Sequence, residues 1–275
     1  MQDDALIYDV GLHKGEDSEF YLNKGFRVVA VDANPDMCEV AARRLDRFIK
    51  SGRLKILNAA VAEKPGTVKF FRNRKSDWGT MVREWADLNA HRGHSSEEIT
   101  VEAVTLADLV HEHGEAYYIK IDIEGMDQTA LQSLRSLSKR PKYVSIESAF
   151  PRNSTLRNAS AEFAALSELG YDRFKIVAQH EVSDQVPPNP PREGQYVPTC
   201  FEDGSSGLFG DEAPGEWVSL EQALRAMKLV VLKSWPESWL LPYWRLHHAY
   251  VAAKWRLIRR PEAFGWYDIH ACRSA

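Results

Sequence analysis

Acidic and amide side chains recur after short, β-rich apolar runs. Asp9 follows Ala5-Leu6-Ile7-Tyr8, Asp32 ends the run that starts at Arg27, Asn58 and Ala59 sit within the run 54–61, Asp122 and Glu124 follow Tyr117-Tyr118-Ile119-Lys120-Ile121, and Glu147 ends Tyr143-Val144-Ser145-Ile146. A carboxylate at a strand end can cap the next helix, accept hydrogen bonds from ligand hydroxyls, attract a cation or take a proton. One such acid is a routine cap. Acids at four of the first five strand ends make a rim suited to a polar or cationic ligand. The first of them opens the loop Asp9-Val10-Gly11-Leu12-His13-Lys14-Gly15-Glu16-Asp17, which leads into a helical segment, Ser18 to Lys24, closed by Gly25. Glycine permits positive φ and close approach of a ligand to the backbone. The helix start offers unpaired N–H groups, with Asp17 placed to cap it.

The elements that position these groups follow from periodicity. After the first strand, loop and helix come a strand ending at Asp32, a turn at Ala33-Asn34-Pro35, an amphipathic helix from Met37 to Ile49, and a third strand from Leu54 to Val61. This β-α-β-α-β order predicts a parallel sheet with right-handed crossovers. Short strands at 67–71 and 99–104 flank a long connection that holds Trp78, His91 and His94; the histidines read as part of a solvated loop rather than as metal ligands. A helix at 106–112, strand 117–122, helix 127–137, strand 143–147, helix 159–169 and strand 173–177 complete the repeating part. Residues 180–216 are rich in Pro, Gly and polar residues, helical texture returns at 219–231 and 243–258, and 265–271 reads as a final strand. The basic stretch 228–260, with Trp235, Trp239, Trp244 and Trp255, reads as a packed helical cap or dimer surface in preference to a membrane-docking one.

In an open α/β sheet the ligand lies beyond the carboxyl ends of the strands, near the point where strand order reverses. That brings Asp9, Gly11, His13, Gly15, Asp17, Asp32, Asn34, Asn58, Ala59 and Asp122 to one site. Asp32, closing the second strand, is placed to accept hydrogen bonds from ribose hydroxyls. The dinucleotide fingerprint needs a middle glycine to approach a pyrophosphate, and here His13 stands in its place. A pyrophosphate gains nothing from a nearby carboxylate such as Asp9, whereas the ammonium and sulfonium groups of S-adenosylmethionine are cationic. Charge sign favours the sulfonium cofactor; an NAD- or nucleotide-sugar-binding enzyme, or a non-catalytic docking protein, is the alternative.

Asp9-Val10-Gly11 with Gly15, Val31-Asp32-Ala33-Asn34-Pro35 and, most specifically, Lys120-Ile121-Asp122-Ile123-Glu124-Gly125 resemble the FkbM family of S-adenosylmethionine-dependent methyltransferases, in order over residues 6–178. Residues 205–210 and 266–270 resemble a longer subgroup. The resemblance implies an α/β, Rossmann-like class I methyltransferase sheet of seven strands, mostly parallel with the last antiparallel. It also implies O-methylation, commonly of sugar or natural-product hydroxyls. On that fold residues 1–179 form the S-adenosylmethionine-binding core, 180–264 a partly helical cap inserted before the last strand, and 265–275 the strand that returns to the core. Trp78, Ser206, Gly207, Phe209 and Trp266 are then candidates on the substrate or cap side.

An acceptor hydroxyl must lose its proton during methyl transfer. Asp122 and Glu124 are the first candidates for the base, with Glu147 next. His13 and His270 are alternatives, although an antiparallel last strand would carry His270 away from the rim. The paired acids could instead hold Mg²⁺ for a diol substrate, but no metal is favoured. The chain has 275 residues, 44% of them apolar, and a net charge of −4, which gives no case for bulk nucleic-acid binding. Cys38, Cys200 and Cys272 are widely separated and suggest neither a disulfide framework nor a zinc site. No signal peptide or membrane-spanning run is read. The expectation is a soluble cytoplasmic protein, able to form homo-oligomers, with a small-molecule or glycan substrate.

Overall fold

Parallel strands buried on both faces carry near-continuous apolar runs, and the strands of the main sheet do so. The computed structural model describes residues 5–73, 79–83, 86–87, 96–123, 125–148, 156–202, 204–240 and 267–274. Strands β1 (Leu6–Val10), β2 (Arg27–Asp32) and β3 (Leu54–Asn58) alternate with α1 (Glu16–Asn23), α2 (Pro35–Arg44) and α3 (Asp46–Lys50). Then follow β4 (Ala60–Val61), β5 (Gly66–Asn73), β6 (Ser96–Val104), α4 (Leu106–His113), β7 (Ala116–Ile121), α5 (Asp127–Ser133), β8 (Tyr143–Glu147), α6 (Leu156–Glu168), β9 (Arg173–Ala178), α7 (Leu220–Leu240) and β10 (Tyr267–Cys272). The main sheet has seven strands in the order β3-β2-β1-β7-β8-β10-β9. Only β10 runs antiparallel to its neighbours. This is the sheet the family resemblance implies.

Local chemistry sets the element ends. The Asn34 side chain accepts from Asp36 N at the start of α2, where Pro35 is pre-set for a helix. Thr105 does the same for α4 through Asp108 N. Two elements differ from the periodic reading. The single helix expected from Met37 to Ile49 is interrupted at Leu45, a kink that keeps the apolar period and so leaves no mark in the pattern. The run 54–61 is also two strands: β3 ends in the main sheet, Ala59 N bonds Asp32 O, and β4 pairs with β6 in a second sheet of order β4-β6-β5. That small sheet stands beside the carboxyl ends of β1–β3.

The two faces of the main sheet are covered differently. Helices α4, α5, α6 and α7 pack on one face over Tyr8, Ile119, Val144 and Ile269. Helices α1–α3 cover the β1–β3 half of the other. The remaining half of that face is covered by chain between β9 and α7 that forms only short 3-10 helices among its described residues, Gln179–Asp184 and Gly210–Glu212, and contributes Val182, Phe201, Leu208, Phe209 and Trp217 to the core there. Phe209 is stacked on Tyr118 at 4.7 Å and meets Tyr21 and Phe26 edge-on. Residues 243–258 and Trp266, and the side chains of Trp235 and Trp239, lie outside what the structure describes. Among the described residues no helix is long and apolar enough to cross a membrane.

A buried ion pair pins this covering segment to α1. Lys24 Nζ lies 2.9 Å from Glu212 Oε2, both side chains fully buried, and also donates to Gln195 O; the backbone N–H groups of Arg192 and Glu193 donate to Glu212 Oε1. Removing one partner strands the other charge in the core. Glu212→Ala is expected to lose about 3–5 kcal/mol in denaturant unfolding, and the double change Lys24→Met with Glu212→Leu to recover only part of it, because the N–H groups of Arg192 and Glu193 still lack their acceptor.

Candidate active site

Strand order reverses at β1, which lies between β2 and β7, and a cleft of about 620 Å³ opens there. Lys120 and Asp17 are buried charged groups in its lining. The parallel register sets Lys120 directly beside Asp9. The ammonium lies 3.3 Å from Asp9 Oδ1, 3.3 Å from Asp17 Oδ2 and 3.8 Å from Asp122 Oδ2, and it donates to Gly11 O at 2.9 Å. Ser18 Oγ donates to Asp9 at 2.6 Å, which docks the start of α1 on the end of β1. The backbone N–H of Ser206 donates to both oxygens of Asp17, at 2.9 and 3.0 Å, tying the late loop to the early one. Burial opposes the charge of Lys120, but Asp9, Asp17 and Asp122 outweigh it and hold its pKa well above the ordinary value. Burial drives Asp17 up, Lys120 pulls it back and Asp9 adds to the rise, leaving it at about 6.

The glycine loop is shaped by close approach. Gly11 has φ +97°, and a Cβ there would lie 1.8 Å from the carbonyl oxygen of Asp122. Gly15, also left-handed, packs so closely on Leu45 that a Cβ would come within 2.8 Å of Leu45 Cδ1. Asp17 lies inside α1 and makes no cap; Gly15 is the residue at the helix start. The turn places His13 N at 2.8 Å from Asp32 Oδ2, while Asn34 N donates to Asp32 Oδ1 at 2.8 Å. Both Asp32 oxygens are thus anchored by backbone donors and keep lone pairs free for the cleft. Burial raises the Asp32 pKa against those two N–H groups. His13 Nδ1 faces Glu16 at 3.3 Å. Asn58 is exposed, donates to Asp32 O and does not line the cleft; Ala59 does.

Asp122, Glu147 and Asp268 also line the cleft, as do Phe70, Met81, Gln179 and His180. Asp122 is 39% exposed, and its backbone N–H donates to Val10 O. The loop after it is held by Asp127, which accepts from Ile123 N and Gly125 N; burial, and then the Asp122 charge, push Asp127 up to about 7. Ser206 reaches the cleft. Gly207 and Phe209 do not: Gly207 packs against Gln185, and Phe209 is buried under the sheet. His270 is buried lower on β10, opposite Ser145 and Lys175, and burial lowers it to about 3, so it stays neutral. Glu124, Trp78 and Trp266 lie outside the described residues. The sequence reading missed Asp268 because it collected carboxyl ends of strands, whereas the antiparallel β10 presents its amino end at the rim. Gln179 and His180 directly follow β9, a carboxyl end beyond the first five that the sequence reading collected; Met81 carries no signal in the sequence.

A glycine loop at the switch point of a mostly parallel seven-stranded sheet, with an anchored carboxylate ending the next strand, defines an α/β protein built to hold a nucleoside-type cofactor. The profile described as the methyltransferase FkbM domain matches residues 9–173, and the chain belongs to that family. A crystal structure of methyltransferase FkbM from Methylobacillus flagellatus KT is similar at 17% identity and a TM-score of 0.41, covering 60% of this chain and 37% of that one. A precorrin-6y C5,15-methyltransferase from Geobacter metallireducens GS-15 is similar at 13% identity and a TM-score of 0.37, covering 65% and 69% of the two chains. Among curated proteins, a probable cytoplasmic phosphoglucomutase 2 of Arabidopsis thaliana is 26% identical over 141 residues, 50% of this chain and 22% of that protein. This chain therefore matches only a minor part of the length of that curated relative and of the FkbM structure.

The raised pKa of Asp17 has a sign that can be checked. Between its ordinary 3.8 and about 6 the folded state keeps a proton that the unfolded state has lost. Folding stability therefore falls as pH rises through that window. Asp17→Asn is expected to be more stable than the wild type at pH 7 and to lose that part of the slope between pH 4 and 6, as read by urea unfolding at a series of pH values. An unchanged slope would mean that Asp17 ionises normally.

Proposed function

We propose that the protein is an S-adenosylmethionine-dependent O-methyltransferase that acts in the cytoplasm on a hydroxyl of a sugar or other small natural product. The observation that carries this reading is the charge of the cleft lining: a single lysine, Lys120, beside Asp17 and Asp122 and backed by the fully buried Asp9, which does not itself reach the cleft, with Asp32 and Asp268 also in the lining. Such a lining repels a pyrophosphate and complements a ligand bearing ammonium and sulfonium groups. The residues also fit the rest of that cofactor. Asp32, with each oxygen fixed by one backbone donor, suits the paired hydroxyls of a ribose, and Gly11 leaves the backbone open to close approach.

When bound, S-adenosylmethionine supplies a methyl group made electrophilic by a positive sulfur. The protein's share is to hold the acceptor in line and to keep water away, and alignment of that kind supplies much of the rate. An acceptor hydroxyl also needs somewhere to put its proton, and the wall formed by Asp122 and Glu147 offers carboxylates for it; Glu124 remains a candidate from its place in the family motif. The free state of Cys38, Cys200 and Cys272 supports a reducing compartment. With no basic surface argument for nucleic acid, a small-molecule or glycan acceptor is the reading the overall charge favours.

Calorimetric titration separates this reading from its rival: S-adenosylmethionine is expected to bind and NADH is not, and the reverse would overturn it. Asp32→Ala is expected to weaken S-adenosylmethionine binding by about 1–3 kcal/mol, through loss of buried hydrogen bonds to the ligand. Unchanged affinity would remove the ribose role. Transfer of a labelled methyl group to extracts fractionated into glycans, small metabolites and RNA then identifies the acceptor class; label appearing only in RNA would refute the proposed acceptor.

A further inference from the structure

Asp127 opens α5 and takes no part in the chemistry described so far. It is 7% exposed and is not among the residues that line the cleft. Both of its carboxylate oxygens are nevertheless spent on the turn that follows β7. Oδ1 accepts from Ile123 N and Oδ2 from Gly125 N, each at 3.2 Å, and among the described residues no other side chain bonds either N–H group. The opposite side of that turn is the cleft. Asp122 and Ile123 both line it. The Asp122 carbonyl lies against Gly11, where a Cβ would come within 1.8 Å of its oxygen and 3.5 Å of Ile123 Cγ2. Gly125, at φ +99°, gives the turn a residue with little preference of its own, so the shape depends on what holds the N–H groups.

We propose that Asp127 is a positioning residue for the cofactor site: its carboxylate clamps the turn after β7, and that turn sets both Asp122 and the seat of the glycine loop. The proposal rests on the methyl-transfer reading above. The route from Asp127 to the cleft is short and consists of contacts. Asp127 holds Ile123 N and Gly125 N, while Asp122, the residue before Ile123, is held from the strand side by its own N–H to Val10 O at 2.8 Å. The Asp122 carbonyl meets Gly11, whose carbonyl in turn accepts from Lys120. Loosening the turn therefore shifts the Asp122 side chain, the Ile123 wall and the backbone under Gly11 together. A carboxylate suits this task better than a carboxamide. Two N–H groups need two acceptor oxygens, and an amide offers one oxygen and a competing donor. Two other roles are open to a buried acid here: starting α5 and nothing more, or acting on a cationic ligand through its charge alone. Each gives a different result.

The test is calorimetric titration of the full chain at pH 8 with S-adenosylmethionine and with S-adenosylhomocysteine, whose sulfur is uncharged, together with backbone hydrogen exchange across residues 121–127. Asp127→Ala is expected to weaken both ligands to the same degree, by about tenfold, and Asp127→Asn by about threefold, since one of the two hydrogen bonds survives. Exchange at Ile123 and Gly125 is expected to quicken in both variants while the protein stays folded. Thr105→Ala removes the cap of α4, a loss of stability away from the cleft, and is expected to leave both affinities unchanged. Full affinity in Asp127→Ala, unchanged exchange in the turn, or a matching loss in Thr105→Ala overturns the proposal. A loss confined to S-adenosylmethionine also overturns it, because Asp127 would then act through charge. If the Ala variant does not fold, Asp127→Asn carries the same comparison. Failure of the wild type to bind either compound is a different outcome: it overturns the methyl-transfer reading, and the exchange rates still show whether Asp127 holds the turn.

Discussion

A single ammonium buried among carboxylates holds this structure together at its functional end. Lys120 sits in the middle of the sheet, where desolvating an ion is expensive, and it is tolerated because Asp9, Asp17, Asp122 and the carbonyl of Gly11 surround it. Four parts of the chain depend on that contact. The β1–β7 register sets Asp9 beside it, the start of α1 is docked through Ser18, the glycine loop accepts a hydrogen bond from it at the carbonyl of Gly11, and Ser206 is held through Asp17. Such an arrangement contributes little net stability. Its value lies in defining one geometry and one charge at the cleft floor.

That charge is the common thread of the site. Asp17, Asp32, Asp127 and Asp268 are all shifted upward, in each case chiefly by burial. Carboxylates so arranged gather negative charge along one lining, a charge that Lys120 alone opposes from among them. A phosphate-binding loop of similar outline works with the opposite sign, through N–H groups and a helix start. Here the carboxylates that flank the glycines invert it.

The half of the sheet that lacks a helix explains the long, proline-rich stretch. Tyr21, Phe26, Tyr118 and Tyr143 would be exposed there if nothing covered them. Phe209 and Trp217 complete an aromatic layer, while Lys24, Glu212 and Glu193 satisfy the irregular backbone. The same stretch bears Ser206, so the packing of the β7–β8 face and the placement of Ser206 at the cleft are coupled through one covalent segment.

Much of this was legible in the sequence because it depends on local rules. Apolar runs ending in acids, glycines at both ends of a loop and the Asn34-Pro35 helix start each have a physical cause within a few residues. Together they specified the alternating strands, the switch-point cleft and the roles open to Asp9, Asp32 and Asp122. Tertiary structure alone decided the rest. The kink at Leu45 and the division of 54–61 between two sheets preserve the apolar pattern and so cannot be read from it. The covering segment has no period at all, which is why Phe209 looked like part of a cap and is instead core. Asp268 arrives at the rim because its strand runs against the others, and strand direction is set by pairing with β8 and β9, residues distant in sequence. The residue types limited the chemistry to carboxylates and a lysine; only the folded sheet determined which of those carboxylates meet at the cleft.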